Sequence, residues 1–132
     1  MIQQKVFTVE EANKLIPELS NWVVKLREKS EEIAMQEVKI DAQELVTNHD
    51  SEKSLALLNC EIEHLNQLVT AFNEGVEKIH SHGCFLKDVR MGLVDFYTVR
   101  DGKVVYLCWK FGEGQIAYWH EVGMGYPSRQ PL

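Results

Sequence analysis

The chain of 132 residues carries 20 acidic and 14 basic side chains, a formal net charge of −6, and 45% of its residues are hydrophobic. This length and balance are typical of one globular domain, residues 1–132, that buries a core of its own. The negative charge disfavours binding to nucleic acid or to anionic lipid, and the sequence has no run of about 18 apolar residues that could span a membrane.

The first residues, Met1 to Phe7, contain no apolar stretch of signal-peptide length, so we expect a soluble cytoplasmic protein. The three cysteines, Cys60, Cys84 and Cys108, are widely spaced and include no Cys-x-x-Cys pair. The sequence therefore predicts neither a disulfide framework nor a zinc ribbon.

A long helix is predicted near the start of the chain. Thr8 followed by Glu11 forms a capping-box pattern, which places the first helical residue at Val9. Apolar residues then recur at helical spacing to about Leu45. Pro17 lies inside this segment, and because its ring would clash with the carbonyl of the preceding turn, we expect a kink or a short break there.

A second helix is predicted from Glu52 to His82. Asp50 or Ser51 can accept the first free amides of this helix, and Gly83 is the expected left-handed residue after its end. Its apolar residues alternate in steps of three and four, which is the pattern of a coiled-coil seam. The seam consists of Leu55, Leu58, Ile62, Leu65, Val69, Phe72, Val76 and Ile79. It could face the first helix or a second subunit, and so long a helical hairpin, about 9–82, favours a homodimer.

The segment from 84 to 132 is predicted to contain a three-stranded antiparallel meander and a C-terminal tail, so the fold class is α+β. If Asp101 and Gly102 form a two-residue hairpin turn, Asp95 lies opposite Cys108. The other face of these two strands then carries apolar core residues. They are Val94, Phe96, Leu107 and Trp109.

The second turn of the meander, Gly112-Glu113-Gly114, leaves two registers open. A three-residue loop places Tyr118 and His120 on the face of Asp95, whereas a two-residue loop places Trp119 there. Because strand side chains alternate, a slip of one residue exchanges the two faces.

The polar groups of the meander form the candidate site. We expect a pocket with Asp95, Cys108, Tyr118 and His120 inside and with Glu113 or Arg129 at its mouth. In this pocket Asp95 would orient or charge-stabilise His120 as an acid-base group, and Cys108 would act as a nucleophile or a soft ligand. The alternative is that these groups only satisfy one face of a small sheet, with Cys108 as a small buried hydrophobic residue.

Two further polar clusters each allow a functional and a structural interpretation. His80, His82 and Cys84 combine imidazole and thiol groups that suit zinc, copper or nickel, but histidines at a helix C-terminus are also explained by its partly negative carbonyl end. A second cluster could form an anion site near the sheet, with Arg129 its best member, or it could form surface ion pairs. It contains Lys87, Asp88, Arg90, Arg100 and Arg129.

Several stretches of the sequence resemble a bacterial family known as domain of unknown function 2203. They are Phe7–Leu19, Leu86–Asp88, Gly92–Phe96, Leu107–Trp109, Gly112–Glu113, Trp119–Glu121 and Arg129–Pro131. The resemblance covers nearly the whole chain and implies a small bacterial protein with a helical hairpin and a C-terminal sheet, with no assigned activity. Its signature positions here are Asp95, Cys108, Trp109, Glu113, Trp119, His120 and Arg129. The cluster at His80, His82 and Cys84 lies outside that signature.

Two functions are predicted from different classes. The first is a non-enzymatic dimerisation or protein-interaction module that uses the helical seam and the aromatic sheet surface. The second is a small-ligand or metal-binding protein, with hydrolysis as one activity, whose site lies around Asp95, Cys108 and His120. The residues specify no cofactor and identify neither the ligand nor the protein partner.

Overall fold

The computed structural model describes residues 4–132, which form two helices followed by an antiparallel sheet. The elements are α1 (Val9–Val46), α2 (Glu52–His80), β1 (Phe85–Asp88), β2 (Leu93–Arg100), β3 (Lys103–Lys110), β4 (Tyr118–His120), a 3₁₀ turn (Tyr126–Ser128) and β5 (Gln130–Pro131). The strands lie in the sheet in chain order. The α+β class predicted from the sequence is confirmed.

Across the described residues the sheet has five strands, so the prediction of three is wrong. The two additional strands, β1 and β5, are the outer ones and are short. The pairing of β1 with β2 shifts between Leu86 and Asp88, and β5 is only two residues long and includes Pro131. Strand β1, with four residues and an irregular register, and strand β5, with two residues including a proline, are too short to show a detectable alternation of polar and apolar residues. Their pairing depends on the neighbouring strands.

The start of α1 is fixed by the predicted capping box. The amide of Glu11 donates to Thr8 Oγ1 at 3.1 Å, and the amide of Thr8 donates to Glu11 Oε1 at 3.2 Å. The helix continues without a break through Pro17, so the short break allowed by the sequence is wrong and the kink stays a prediction. Hydrogen bonds from Thr8 lower the pKa of Glu11, with the Thr8 amide as the largest cause and the Thr8 hydroxyl as the next.

Helix α2 begins after Ser51, whose hydroxyl accepts from the amide of Ser54 at 3.2 Å. It ends at His80, two residues before the predicted end, and Gly83 takes the expected left-handed conformation with φ of 90°. The two helices pack on each other, with 2.9 Å between Gln36 Nε2 in α1 and the carbonyl of Glu61 in α2. Neither helix contains a stretch, within residues 4–132, that is long and apolar enough to cross a membrane.

The strand register places polar and apolar side chains on opposite faces of the sheet. Asp95 pairs with Cys108 around a turn at Asp101 and Gly102, as predicted, and Asp101 has a positive φ of 52°. In the next pair of strands Tyr106 lies opposite His120. Of the two predicted registers, this is the one expected for a three-residue loop, although seven residues, 111–117, separate the two strands.

The core lies between the inner face of the sheet and the ends of the helices nearest to it. Its inner-face residues are those predicted: Val94, Phe96, Leu107 and Trp109. From the helices it takes Ala12, Ile16, Leu19, Val23, Leu26 and Ile79, and Phe7, Cys84 and Ile116 complete it. Because these side chains fill the inner face, the residues that alternate with them lie on the outer face, away from the helices.

Candidate functional site

Three residues of different chemistry meet on the outer face of the sheet. Asp95 on β2 and Cys108 on β3 are direct strand partners, and His120 on β4 lies across from Tyr106, two residues earlier on β3. Their ligand atoms all lie within 4.8 Å of one another. Asp95 is 4% exposed, and Cys108 and His120 are each 1% exposed. The register therefore gathers a carboxylate, a thiol and an imidazole in one buried cluster, which we call the Asp-Cys-His cluster.

The hydrogen bonds of His120 indicate which of its ring nitrogens carries the proton. Nδ1 lies 2.8 Å from the carbonyl oxygen of Glu121, and since a carbonyl only accepts, Nδ1 carries a proton and donates it. Nε2 lies 3.1 Å from Oδ2 of Asp95. With Nδ1 as the donor, the second ring nitrogen, Nε2, faces the carboxylate oxygen and is placed to bind a proton or a cation together with it.

Cys108 is held in its neutral thiol form. Burial and, less strongly, the neighbouring Asp95 carboxylate together raise the pKa of Cys108 to about 12, although Arg129 acts in the opposite direction. A thiol with such a pKa is a poor nucleophile at neutral pH, because the thiolate is the reactive species. This argues against the predicted role of Cys108 as a nucleophile. The role of a soft ligand remains, because a strongly bound cation replaces the proton and leaves a thiolate.

Glu113 and Arg129 form an ion pair beside the cluster. Arg129 Nη1 donates to both carboxylate oxygens of Glu113, at 2.9 and 3.1 Å, and its guanidinium lies 4.1 Å from the ring centroid of Tyr118 and 4.5 Å from that of Tyr126. Burial lowers the pKa of Arg129, but the hydrogen bond and charge of Glu113 outweigh it and leave the pKa raised.

The position of Glu113 is itself fixed from two sides. Its carbonyl accepts from the indole nitrogen of Trp109 at 2.9 Å, and its carboxylate accepts from the amide of Lys110 at 2.7 Å. The connection between β3 and β4 is thereby attached to the core, and it holds Arg129 of the C-terminal segment in turn. Glu113 and Arg129 are thus positioning groups that shape the wall of the site.

The cluster lies at the floor of a small cavity of about 170 Å³. The segment that follows β4 forms one wall, through Val122, Met124, Gly125 and Tyr126, and Lys87 of β1 lies at another side. The predicted tail therefore lines the site through residues of 122–126, and it contains one turn of 3₁₀ helix and a short strand. Leu93 and Tyr106 complete the lining.

A larger groove of about 620 Å³ lies between α1 and the turn after β1. It is lined by Arg27, Ser30, Glu31, Ala34, Val89 and Arg90. Arg27 fixes this turn by donating to the carbonyls of Val89 and Arg90, at 3.2 and 2.7 Å. The groove brings together no cluster of metal-ligating groups in residues 4–132, and we consider the smaller cavity the better candidate on chemical grounds.

The histidines and thiol at the end of α2 have structural partners. His80 Nε2 accepts from the amide of Leu86 at 3.3 Å, the ring of His82 lies 4.9 Å from that of Trp22, and Cys84 donates to the carbonyl of Ile79 at 3.5 Å. Within the described residues these three form no metal-ligating cluster. The interpretation of the two histidines by the negative end of the helix stays a prediction.

Of the predicted anion cluster, Lys87 lines the cavity and Arg129 lies over Tyr126 of its lining, whereas Arg100 lies over Trp119 with 4.9 Å to the ring centroid. The sequence did not single out Tyr106 or Tyr126 as members of the site. Alternation along β3 gives a signal for Tyr106, because it shares the face of Cys108. Tyr126 gives no such signal, since it lies in an irregular segment.

The comparisons with known proteins point to one family. A family model described as an uncharacterized conserved protein, DUF2203, matches residues 5–132. No curated protein and no solved structure matches the chain. The match spans nearly all of the chain and includes every residue of the Asp-Cys-His cluster, and we conclude that the chain belongs to the DUF2203 family.

Proposed function

We propose that the protein binds a divalent transition-metal ion of the zinc class through Asp95, Cys108 and His120. The observation that carries the proposal is the convergence of three buried ligand atoms within 4.8 Å. Carboxylate, thiolate and imidazole are all zinc ligands, and a thiolate excludes the hard cations magnesium and calcium.

The hydrogen bond to the Glu121 carbonyl supports this proposal independently. Metal-ligating histidines commonly donate their second ring nitrogen to a carbonyl or carboxylate, which fixes the ring and the tautomer. In His120 this bond leaves Nε2 free to act as a ligand. Ligand atoms of one tetrahedral zinc ion lie about 3.3–3.7 Å apart, and the 3.1 Å between Nε2 and Oδ2 of Asp95 is close to that separation.

Three protein ligands leave one position of a tetrahedral ion open. Structural zinc sites are usually closed by four protein ligands, whereas sites with three keep a position for water or substrate. Here the cavity above the cluster gives that position access to a ligand. The proposed site is therefore of the open kind, which is compatible with ligand binding and with metal-assisted hydrolysis.

The test is a titration of metal-free protein with Co²⁺, which reports thiolate ligation by a charge-transfer band in the near ultraviolet. We expect one equivalent to saturate the band in the wild type, no band in Cys108→Ser, and affinity reduced by about 100-fold or more in His120→Ala. Cys84→Ser is the matched control, because Cys84 is an equally buried thiol outside the cluster. A wild type without the band, or a band that persists in Cys108→Ser, would disprove the proposal.

We propose self-association as a second function, because the part of the helices beyond the sheet exposes large apolar side chains. They are Met35, Val38, Leu45, Val46 and Leu57, with exposed fractions between 54% and 88%. Clustered apolar surface of this kind is typical of interaction sites. A helical hairpin that pairs about a two-fold axis would place the same residues on both sides of the interface, so the occupant we propose is a second copy of this chain.

Sedimentation velocity over a range of concentrations tests self-association. We expect a dimer in the wild type and a shift to monomer in Val38→Lys. The control is Val99→Lys, which adds the same charge at an exposed valine of the sheet. A monomeric wild type, or a Val38→Lys variant that remains dimeric, would contradict this second function.

A further inference from the structure

We propose that the cavity binds a small organic carboxylate, whose carboxylate group occupies the open metal position with Lys87 as its charge partner. This inference rests on the proposed metal function and adds the chemical class of the ligand. Four features of the cavity carry it: its size, its charge balance, the position of Lys87 and the apolar wall.

The size of the cavity limits the ligand. A volume of about 170 Å³ corresponds to roughly six water molecules at their share of liquid volume, about 30 Å³ each. Sites for drug-sized molecules and cofactors have volumes of about 300–1,000 Å³. Nucleotides and larger cofactors are therefore too large, and a ligand of a few carbon atoms fits.

The charges of the cavity favour a monoanion. The carboxylate of Asp95 and the thiolate of Cys108 balance the two positive charges of the metal, and neutral His120 adds none. Arg129 and Glu113 neutralise each other through their ion pair. Lys87 then remains as one positive charge in the lining, and one negative charge on the ligand compensates it.

Lys87 is held over the aromatic side chains of the outer face. Its Nζ lies 5.1 Å from the ring centroid of Tyr106, and the Tyr106 ring lies 5.4 Å from that of His120. In the portion of the chain that the structure describes, no carboxylate lies within 4.0 Å of the Lys87 ammonium. The ammonium is thus positioned next to the cluster without an acidic partner of its own.

The apolar part of the cavity lining favours an organic anion over an inorganic one. It consists of Leu93, Val122 and Met124 together with the ring of Tyr126. The side chains of Leu93, Val122 and Met124 offer no hydrogen bonds to the several oxygens of a phosphate or sulfate, which would lose water without replacement. They provide apolar contact for a short hydrocarbon chain.

The experiment uses the Co²⁺-loaded full-length protein and three probes: butyrate, inorganic phosphate and chloride. Binding at the open position shifts the visible absorption of Co²⁺, and the titration of that shift gives a dissociation constant. We expect butyrate to bind more tightly than phosphate or chloride, and Lys87→Met to weaken butyrate by about 10-fold while Co²⁺ affinity is unchanged. Lys53→Met, an exposed lysine in the first turn of α2, is the control and should bind butyrate like the wild type.

The outcomes separate this inference from the metal function. A protein that shows the thiolate band but no response to butyrate would overturn the inference and leave the metal function intact. The same holds if phosphate or chloride binds as well as butyrate, or if Lys87→Met binds butyrate like the wild type. Absence of the thiolate band in the wild type would overturn both.

Discussion

The two ends of the helices have different surroundings, and the difference separates a rigid region from an open one. Near the sheet, Leu19, Val23 and Ile79 pack against the inner strands and are fully buried. Beyond it, the helices bury only a few side chains, among them Ile40 and Leu58. The candidate metal cluster lies on the side of the molecule with the dense core, where positions of ligand atoms are best fixed.

This comparison also explains why the two proposed functions use different regions. A metal site needs ligands held in one geometry, which packing and strand pairing supply. An interface needs accessible apolar surface, which the two-helix region supplies because each helix there has only one neighbour within residues 4–132.

The largest effect is expected when a buried leucine of the sheet is shortened, in comparison with an exposed leucine of α2. Leu107→Ala removes a fully buried side chain of the inner sheet face and should lower the free energy of unfolding by about 2–5 kcal/mol. Leu57→Ala, in the exposed part of α2, should change it by less than about 0.5 kcal/mol in the monomer. Urea unfolding at low protein concentration measures both. Equal losses of unfolding free energy in the two variants would show that the sheet and the exposed part of α2 do not differ in packing.

Two glycines with left-handed backbones sharpen the contrast within the sheet. Gly92 has φ of 68°, and an added methyl group there would overlap Phe111 and lie 3.1 Å from Val23. Gly102 has φ of 76° and an open surrounding. We expect Gly102→Ala to cost about 1 kcal/mol from backbone strain alone, and Gly92→Ala to cost about 1–3 kcal/mol more because the packed neighbours must move. Thermal unfolding of the two variants compares them, and equal losses would argue against close packing at Gly92.

The smallest effect is expected from the two buried thiols of the dense end. Burial raises the pKa of Cys84 to about 11 and that of Cys108 to about 12, from an ordinary value of 9.0. Because both folded-state pKa values are raised, the stability they contribute is present below pH 9.0 and is lost as the pH rises towards 11 and 12.

At pH 10 the contribution of each thiol to the free energy of unfolding should have fallen by roughly 1 kcal/mol in the metal-free protein. Urea unfolding between pH 8 and 10.5 measures the slope, and Cys108→Ser should reduce it. A slope unchanged by this substitution would mean that Cys108 is not buried as a neutral thiol.

The order of elements and the inner strand register followed from local patterns. The capping box at Thr8, the Ser51 cap and the glycine at 83 each act through neighbouring backbone groups, so a few residues suffice to recognise them. The Asp101-Gly102 turn fixed the pairing of Asp95 with Cys108 for the same reason. Since that pair forms two thirds of the cluster, a large part of the candidate site was predictable.

Other features depended on distant parts of the chain. The outer strands β1 and β5 form because neighbouring strands offer unpaired backbone groups, and they carry too few residues for a pattern. The choice between the two registers of β4 was open in the sequence, because the seven-residue connection is set by Glu113 and its contacts with Trp109 and Arg129. The wall formed by Tyr126 and its neighbours had no local signal.

The sequence by itself determined the two helices, the central hairpin of the sheet and the residue types of the site, because caps, turns and periodicity act over a few neighbouring residues. The tertiary structure is needed to bring His120 to Asp95 and Cys108 and to place Lys87 beside them. These arrangements come from strand pairing and packing between segments far apart in the chain, where a shift of one residue would turn each side chain to the opposite face.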